Sequence, residues 1–159
     1  MGTGKTTIGR ALAKRLSYEF LDIDTAIQTQ ENQSITDIFE QLGEAYFRDL
    51  ELKWCQTTLP TLSQTVIATG GGIVMNPDIA PLLRQHGKVV WLDCPIDDIS
   101  HRLQGSTKRP LLLNKDIPST LRSLYKDRYK AYQDTAQYYL HFKKLNTHTL
   151  VKKLLVLLK

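Results

Sequence analysis

Four short runs rich in β-branched and aromatic residues alternate with stretches of helical period, and this alternation constrains the fold more than any other feature. Phe20–Asp22, Thr65–Ala68, Lys88–Leu92 and Tyr138–Phe142 read as strands. Thr6–Leu16, Ser34–Leu42, Ala45–Leu59, Pro77–Gln85, Ile96–Leu103, Pro118–Asp134 and Thr149–Leu158 carry apolar residues at i, i+3 and i+4 and read as helices. Ser34 followed by Asp37 forms a capping pair at one helix start. Strand–helix alternation predicts an α/β fold, a parallel β-sheet with helices on both faces. No repeat, low-complexity tract or Pro/Gly-rich linker divides the 159 residues, so 1–159 reads as a single domain. Gln104–Ile117 has no period and concentrates Gly105, Lys108, Arg109 and Pro110, as a mobile surface loop would.

Composition narrows the function classes. Hydrophobic residues at 42% and charged residues at 23% suit a soluble protein with a real core. The formal net charge of +5 favours anionic partners without naming them. A nucleic-acid module would also need a basic patch interleaved with aromatics, and none is seen. Cys55 and Cys94 make no disulfide framework and fit a reducing cytoplasm. Leu154–Leu158, the longest apolar run, is too short to span a bilayer, and no signal peptide opens the sequence. His86, His101, His141 and His148 lack metal-ligand spacing.

Met1-Gly2-Thr3-Gly4-Lys5-Thr6-Thr7 is the second half of G-x-x-x-x-G-K-[ST], the phosphate-binding P-loop. Glycines let backbone N–H groups converge on phosphate oxygens, and the following helix points its positive end at them. Lys5 then reaches the β- and γ-phosphates of a nucleotide, and the Thr6 hydroxyl sits on Mg²⁺. The bland alternative is a glycine-rich turn before a helix. The first glycine of the signature falls two positions before Met1, and no strand precedes the loop. A strand missing from inside the sheet predicts a gap of about 9.6 Å, two strand spacings, with unpaired edges on either side.

Downstream, Phe20-Leu21-Asp22-Ile23-Asp24 reads as a strand end with two carboxylates on one face. Gly43-Glu44-Ala45-Tyr46-Phe47-Arg48 opens a helix, and Ala68-Thr69-Gly70-Gly71-Gly72 follows another strand. Arg109-Pro110-Leu111-Leu112 falls in the aperiodic loop, and Arg128-x-x-x-Tyr132-x-x-x-Ala136 on the helix after it. Any one motif is weak. In this order, with the P-loop half, the series resembles the shikimate kinases nearly end to end. The resemblance implies a small P-loop kinase of the nucleoside-monophosphate-kinase type, with a shikimate-binding part over about 24–60 and a lid over about 104–118. It implies in-line transfer of the γ-phosphate of ATP to the 3-hydroxyl of shikimate, in aromatic amino-acid biosynthesis, with Mg²⁺ as cofactor.

The resemblance also distributes roles. It gives ATP binding to Gly2, Thr3, Gly4, Lys5, Thr6, Thr7, Arg102 and Arg109, and Mg²⁺ to Thr6 and Asp22. Catalysis falls to Lys5, Asp24 and Arg109. Asp24 orients the attacking hydroxyl, and Arg109 swings over the transferring phosphoryl group with the lid. Arg48 and Arg128 clamp the shikimate carboxylate, a bidentate task that lysine does poorly. Gly70, Gly71 and Gly72 let backbone amides approach the substrate. Arg102 packs its guanidinium plane on adenine. The plain structural readings are a cap for Asp22 and Asp24, a surface ion pair with Asp49 or Glu51 for Arg48, and an exposed cation for Arg102. Three other readings stay open: a related kinase such as gluconate kinase, an inactive homologue that has lost phosphate binding, and a nucleic-acid module. A monomer acting on ATP and shikimate, with no nucleic acid and no membrane, is the expectation.

Overall fold

The computed structural model describes residues 2–104, 116–143 and 146–159. Among them, helix α1 (Lys5–Leu16) leads into strand β1 (Glu19–Asp22), followed by α2 (Ile23–Glu31), α3 (Ile35–Gln41) and α4 (Gly43–Thr58). Strand β2 (Thr65–Ala68), α5 (Ile79–His86), β3 (Val90–Asp93), α6 (Ile96–Leu103), α7 (Ile117–Thr135), β4 (Tyr138–His141) and α8 (Thr147–Leu157) complete the order. Short 3-10 turns cover Leu59–Thr61 and Ile73–Met75.

All strand pairing is parallel. β1 pairs with β2 in the register Glu19↔Thr65 to Asp22↔Ala68, and β3 with β4 from Val90↔Tyr138 to Asp93↔His141. The α/β class holds, but the sheet is split: among the described residues β2 and β3 do not pair. Between them lies a cavity of about 560 Å³, lined by Val66 and Ala68 of β2, Val90 and Leu92 of β3, and Ile8 and Leu12 of α1. Among the described residues the facing edges of β2 and β3 thus have no strand partner.

Two apolar clusters flank the strands. Ile8, Leu12, Leu103, Leu121, Leu150 and Leu154 gather α1, α6, α7 and α8. Ile23, Ile27, Ile38, Phe47, Trp54 and Ile79 gather α2 to α5. Ser34 caps α3, accepting from the Asp37 N–H at 3.1 Å and donating its hydroxyl to Asp37 Oδ2 at 2.7 Å. Asp116 and Asn146 cap α7 and α8 in the same way, accepting from the N–H groups of Ser119 and Thr149.

One local expectation changes. The strand ends at Asp22, and Ile23–Glu31 is a helix. Asp22 and Asp24 are therefore not alternate residues of one strand. Asp22 is the N-cap of α2, accepting from the Thr25 N–H at 3.3 Å, and Asp24 lies in the first turn. The apolar pair Ile23 and Ile27, both buried, stands at helical spacing and pulls the chain into α2 as soon as the strand ends.

Candidate active site

The site forms at the carboxyl ends of β1 and β2, where open α/β sheets bind ligands. At the end beside Lys5, Gly2 and Gly4 take positive φ values of 68° and 90°, which an L-residue rarely adopts. A Cβ on Gly2 would also come within 2.8 Å of Ile99 Cγ2. Gly4 is the N-cap of α1, whose first turn carries no acidic residue to oppose an anion at the positive helix end. Lys5 and Thr6 begin that helix. The Thr6 hydroxyl donates to Asp22 Oδ2 at 2.8 Å, so the P-loop hydroxyl and the strand-end carboxylate stand together. These are hard oxygen donors, the set that Mg²⁺ prefers, so the pair fits that ion. Arg102, on α6, is exposed, with Nη1 3.5 Å from the Gly2 carbonyl oxygen.

The other end is built from four separate segments. Asp24 comes from α2, Arg48 and Glu51 from α4, Gly70–Gly72 from the turn after β2, and Arg128 and Tyr132 from α7. The turn needs its glycines because charged groups press on it. A Cβ on Gly70 would fall 2.9 Å from Asp24 Oδ1 and 3.1 Å from Glu51 Oε1. One on Gly72 would fall 2.5 Å from Arg48 Nη2. Arg48 is forked between Glu44 and Glu51, at 2.6 Å to each. Its helix spacing, i−4 and i+3, makes both pairs reachable. Glu51 is 0% exposed and Arg128 is 8% exposed.

Electrostatics follow from that burial. Glu51 has its carboxyl pushed above the usual range by desolvation, against the pull of Arg48, with Asp24 adding a further upward push. Its Oε1 is buried with no hydrogen-bond partner. Arg48 is held charged by Glu51 and Glu44, which together outweigh its desolvation. Cys55, one turn beyond Glu51 and fully buried, has its thiol pushed up to about 12 by desolvation and by that carboxylate.

The structure thus brings Asp24, Arg48, Gly70, Gly72 and Glu51 into contact range, and sets Thr6 against Asp22. Tyr132 ties α7, and with it the segment carrying Arg128, to the glycine turn through a 2.6 Å hydrogen bond to the Gly71 carbonyl. The cavity between the half-sheets reaches Lys5, Gly70, Gly71 and Arg128 at this end. Lys108 and Arg109 lie outside the described residues. Arg48 does pair with Glu51, as the ion-pair reading has it, but against a buried carboxylate and not at the surface. The sequence reading gave Glu51 only a surface ion pair with Arg48 and no place beside Asp24 and the glycine turn. Its signal was a carboxylate three residues after Arg48 on a helix whose neighbours Leu50, Trp54 and Cys55 are core.

Comparison with known proteins agrees with this geometry. The shikimate kinase family profile matches residues 1–159. A shikimate kinase of Geobacter sulfurreducens is 44% identical over 134 residues, covering 84% of this chain and 74% of that protein. One of Persephonella marina is 38% identical over 132 residues, covering 83% and 79%. The solved shikimate kinase from Acinetobacter baumannii in complex with shikimate superposes with a TM-score of 0.95 at 35% identity, covering 99% of this chain and 88% of that one. Shikimate kinase from Bacteroides thetaiotaomicron gives 0.90 at 30% identity, covering 99% and 93%. With a family match along its whole length, relatives well above 30% identity and the same tertiary structure, this chain belongs to the shikimate kinase family, and it is a kinase.

Proposed function

We propose that this chain transfers the γ-phosphoryl group of ATP to the 3-hydroxyl of shikimate. The observation that carries the reading is that Asp24 and Arg48 press on the glycine turn while Arg128 and Lys5 line the same cavity as Gly70 and Gly71. The cationic wall of Arg48 and Arg128 suits a small carboxylate acceptor. Asp24, facing the turn at Gly70, suits a hydroxyl that must be oriented and relieved of its proton.

In this reading the Gly2–Thr7 backbone and Lys5 cradle the β- and γ-phosphates, and Arg102 lies against the adenine. Thr6 and Asp22 hold Mg²⁺, which neutralises phosphate charge when bound. Arg48 and Arg128 anchor the shikimate carboxylate, and the Gly70–Gly72 amides border the ring. Asp24 orients the 3-hydroxyl and accepts its proton as the phosphoryl group transfers in line. Lys5 and Arg109 spread the developing negative charge, with no covalent enzyme intermediate. Arg109 holds this role on the strength of the family motif at Arg109–Leu112. The protein acts in the cytoplasm as a monomer.

The experiment is ADP release by the purified chain with ATP and Mg²⁺, in the presence of shikimate, of gluconate, or of neither. ADP that appears only with shikimate is the expected result. Release driven by gluconate moves the acceptor to a sugar acid. No release with either acceptor, in a protein that still binds ATP, makes the chain an inactive member of its family.

A further inference from the structure

Tyr132 belongs to the helix motif that also carries Arg128, yet the reaction described above gives it nothing to do. It sits one turn beyond Arg128 on α7, so both side chains share a face. Its phenol donates to the Gly71 carbonyl at 2.6 Å, across 61 positions of sequence. That bond links α7 to the glycine turn. The ring is half-buried and packs on Trp91 with centroids 5.5 Å apart. Burial lifts the phenol above its ordinary range while Arg128, and then Arg48, pull it back, so the hydroxyl lies within the field of both guanidinium groups.

The rigidity of the peptide unit gives this bond its consequence. In a trans peptide the C=O of one residue and the N–H of the next point in opposite directions. With the Gly71 carbonyl pinned to α7, the Gly72 N–H is turned away from α7. Gly72 also lies hard against the Arg48 guanidinium. No hydrogen bond from this N–H is found among the described residues. Gly71 and Gly72 have no side chains to resist rotation of the unit between them, so an external tether is needed to hold one orientation.

We propose that Tyr132 is a positioning residue of the acceptor pocket: it fixes the Gly71–Gly72 peptide plane so that the Gly72 N–H, beside Arg48, is offered to an anionic group of the acceptor. The inference rests on the pocket being the shikimate site. Tyr132 touches neither reacting atom. It acts through the backbone it holds.

The test compares wild type with Tyr132→Phe, which keeps the ring and deletes the donor, and Trp91→Phe, which loosens the packing on that ring and leaves the hydroxyl. Shikimate affinity is read by calorimetry without ATP. The ¹³C resonance of the Gly71 carbonyl is read on the free protein. In Tyr132→Phe, shikimate binding should weaken roughly tenfold, the loss of one pocket hydrogen bond. The carbonyl resonance should move, while KM for ATP and kcat at saturating shikimate should stay within about twofold. Trp91→Phe should lower Tm and leave shikimate affinity unchanged. A Tyr132→Phe protein that loses the carbonyl shift yet binds shikimate like wild type overturns the proposal, leaving a structural tyrosine. An unmoved carbonyl resonance also overturns it, by showing no bond in solution. Wild type that fails to bind shikimate is a different result: the acceptor assignment falls, and the positioning role falls with it.

Discussion

The two ends of the site solve the problem of holding charge in different ways. At the phosphate end the groups are consecutive, Gly2 to Thr7, and Thr6 and Thr7 are exposed. Backbone N–H groups and a helix start carry the positive potential there, so little charge is buried in the protein. At the acceptor end the groups come from α2, α4, α7 and the turn after β2, and the charges lie inside. Glu51 is fully buried, Arg128 nearly so, and Arg48 is shared by two carboxylates. A buried charge is tolerable only with a partner, so this end is a closed network in which each member holds the next. The phosphate end is local and can be altered piecemeal. The acceptor end stands or falls as a unit.

The largest expected effect at the acceptor end comes from Asp24→Asn. Removing the proposed proton acceptor should lower kcat by about 10² to 10⁴-fold while the dissociation constant for ATP stays unchanged. Steady-state kinetics with a nucleotide titration decide this, and equal losses in both would take Asp24 out of the acceptor pocket. Next comes a pair of arginines chosen to set the two ends against each other. Arg48→Lys should raise KM for shikimate by about 10- to 100-fold and lower Tm, because the fork between Glu44 and Glu51 is lost. Arg102→Ala, at an exposed position, should raise KM for ATP only a few-fold and leave Tm unchanged. If the exposed arginine cost more stability than the half-buried one, the contrast drawn above would be broken.

The smallest effect lies in the pH dependence of stability. Burial raises the Glu51 carboxyl above its usual 4.5. The stability contributed by such a group is complete below that usual value and is lost as pH rises through the folded value. Glu51→Gln, which cannot ionise, should therefore gain on wild type as pH rises from about 4.5 upward. Thermal melts of both proteins across that range should show a difference widening in favour of the variant. A constant difference would mean that Arg48 fully compensates the burial of Glu51.

Part of this was legible in the sequence because the signals are local. The strand β2 and helix α6 fall where the periodicity put them, and the Ser34 cap is real, since each depends on residues a few positions apart. The P-loop half could be read for the same reason. The junction after β1 was misread because Ile23 and Asp24 suit an extended strand end as well as a helix start. The choice was made by burial of Ile23 and Ile27 against α4, which periodicity within five residues does not reveal. Glu51 was read only as a surface partner of Arg48 because an i, i+3 charge pair on a helix is ordinary at a surface. Only its complete burial beside Asp24 and Gly70 makes it part of the site.

By itself the sequence determined the α/β class and the order of the motifs that mark the family, because these follow from spacing and from what glycine, lysine and apolar residues do locally. Tertiary structure alone decided which charges gather at the glycine turn, that Gly70 and Gly72 are required by Asp24, Glu51 and Arg48, and that Tyr132 reaches Gly71 across the fold. Those depend on desolvation and on contacts between residues far apart in the chain, and burial is a property of the packed molecule that no short stretch of sequence carries.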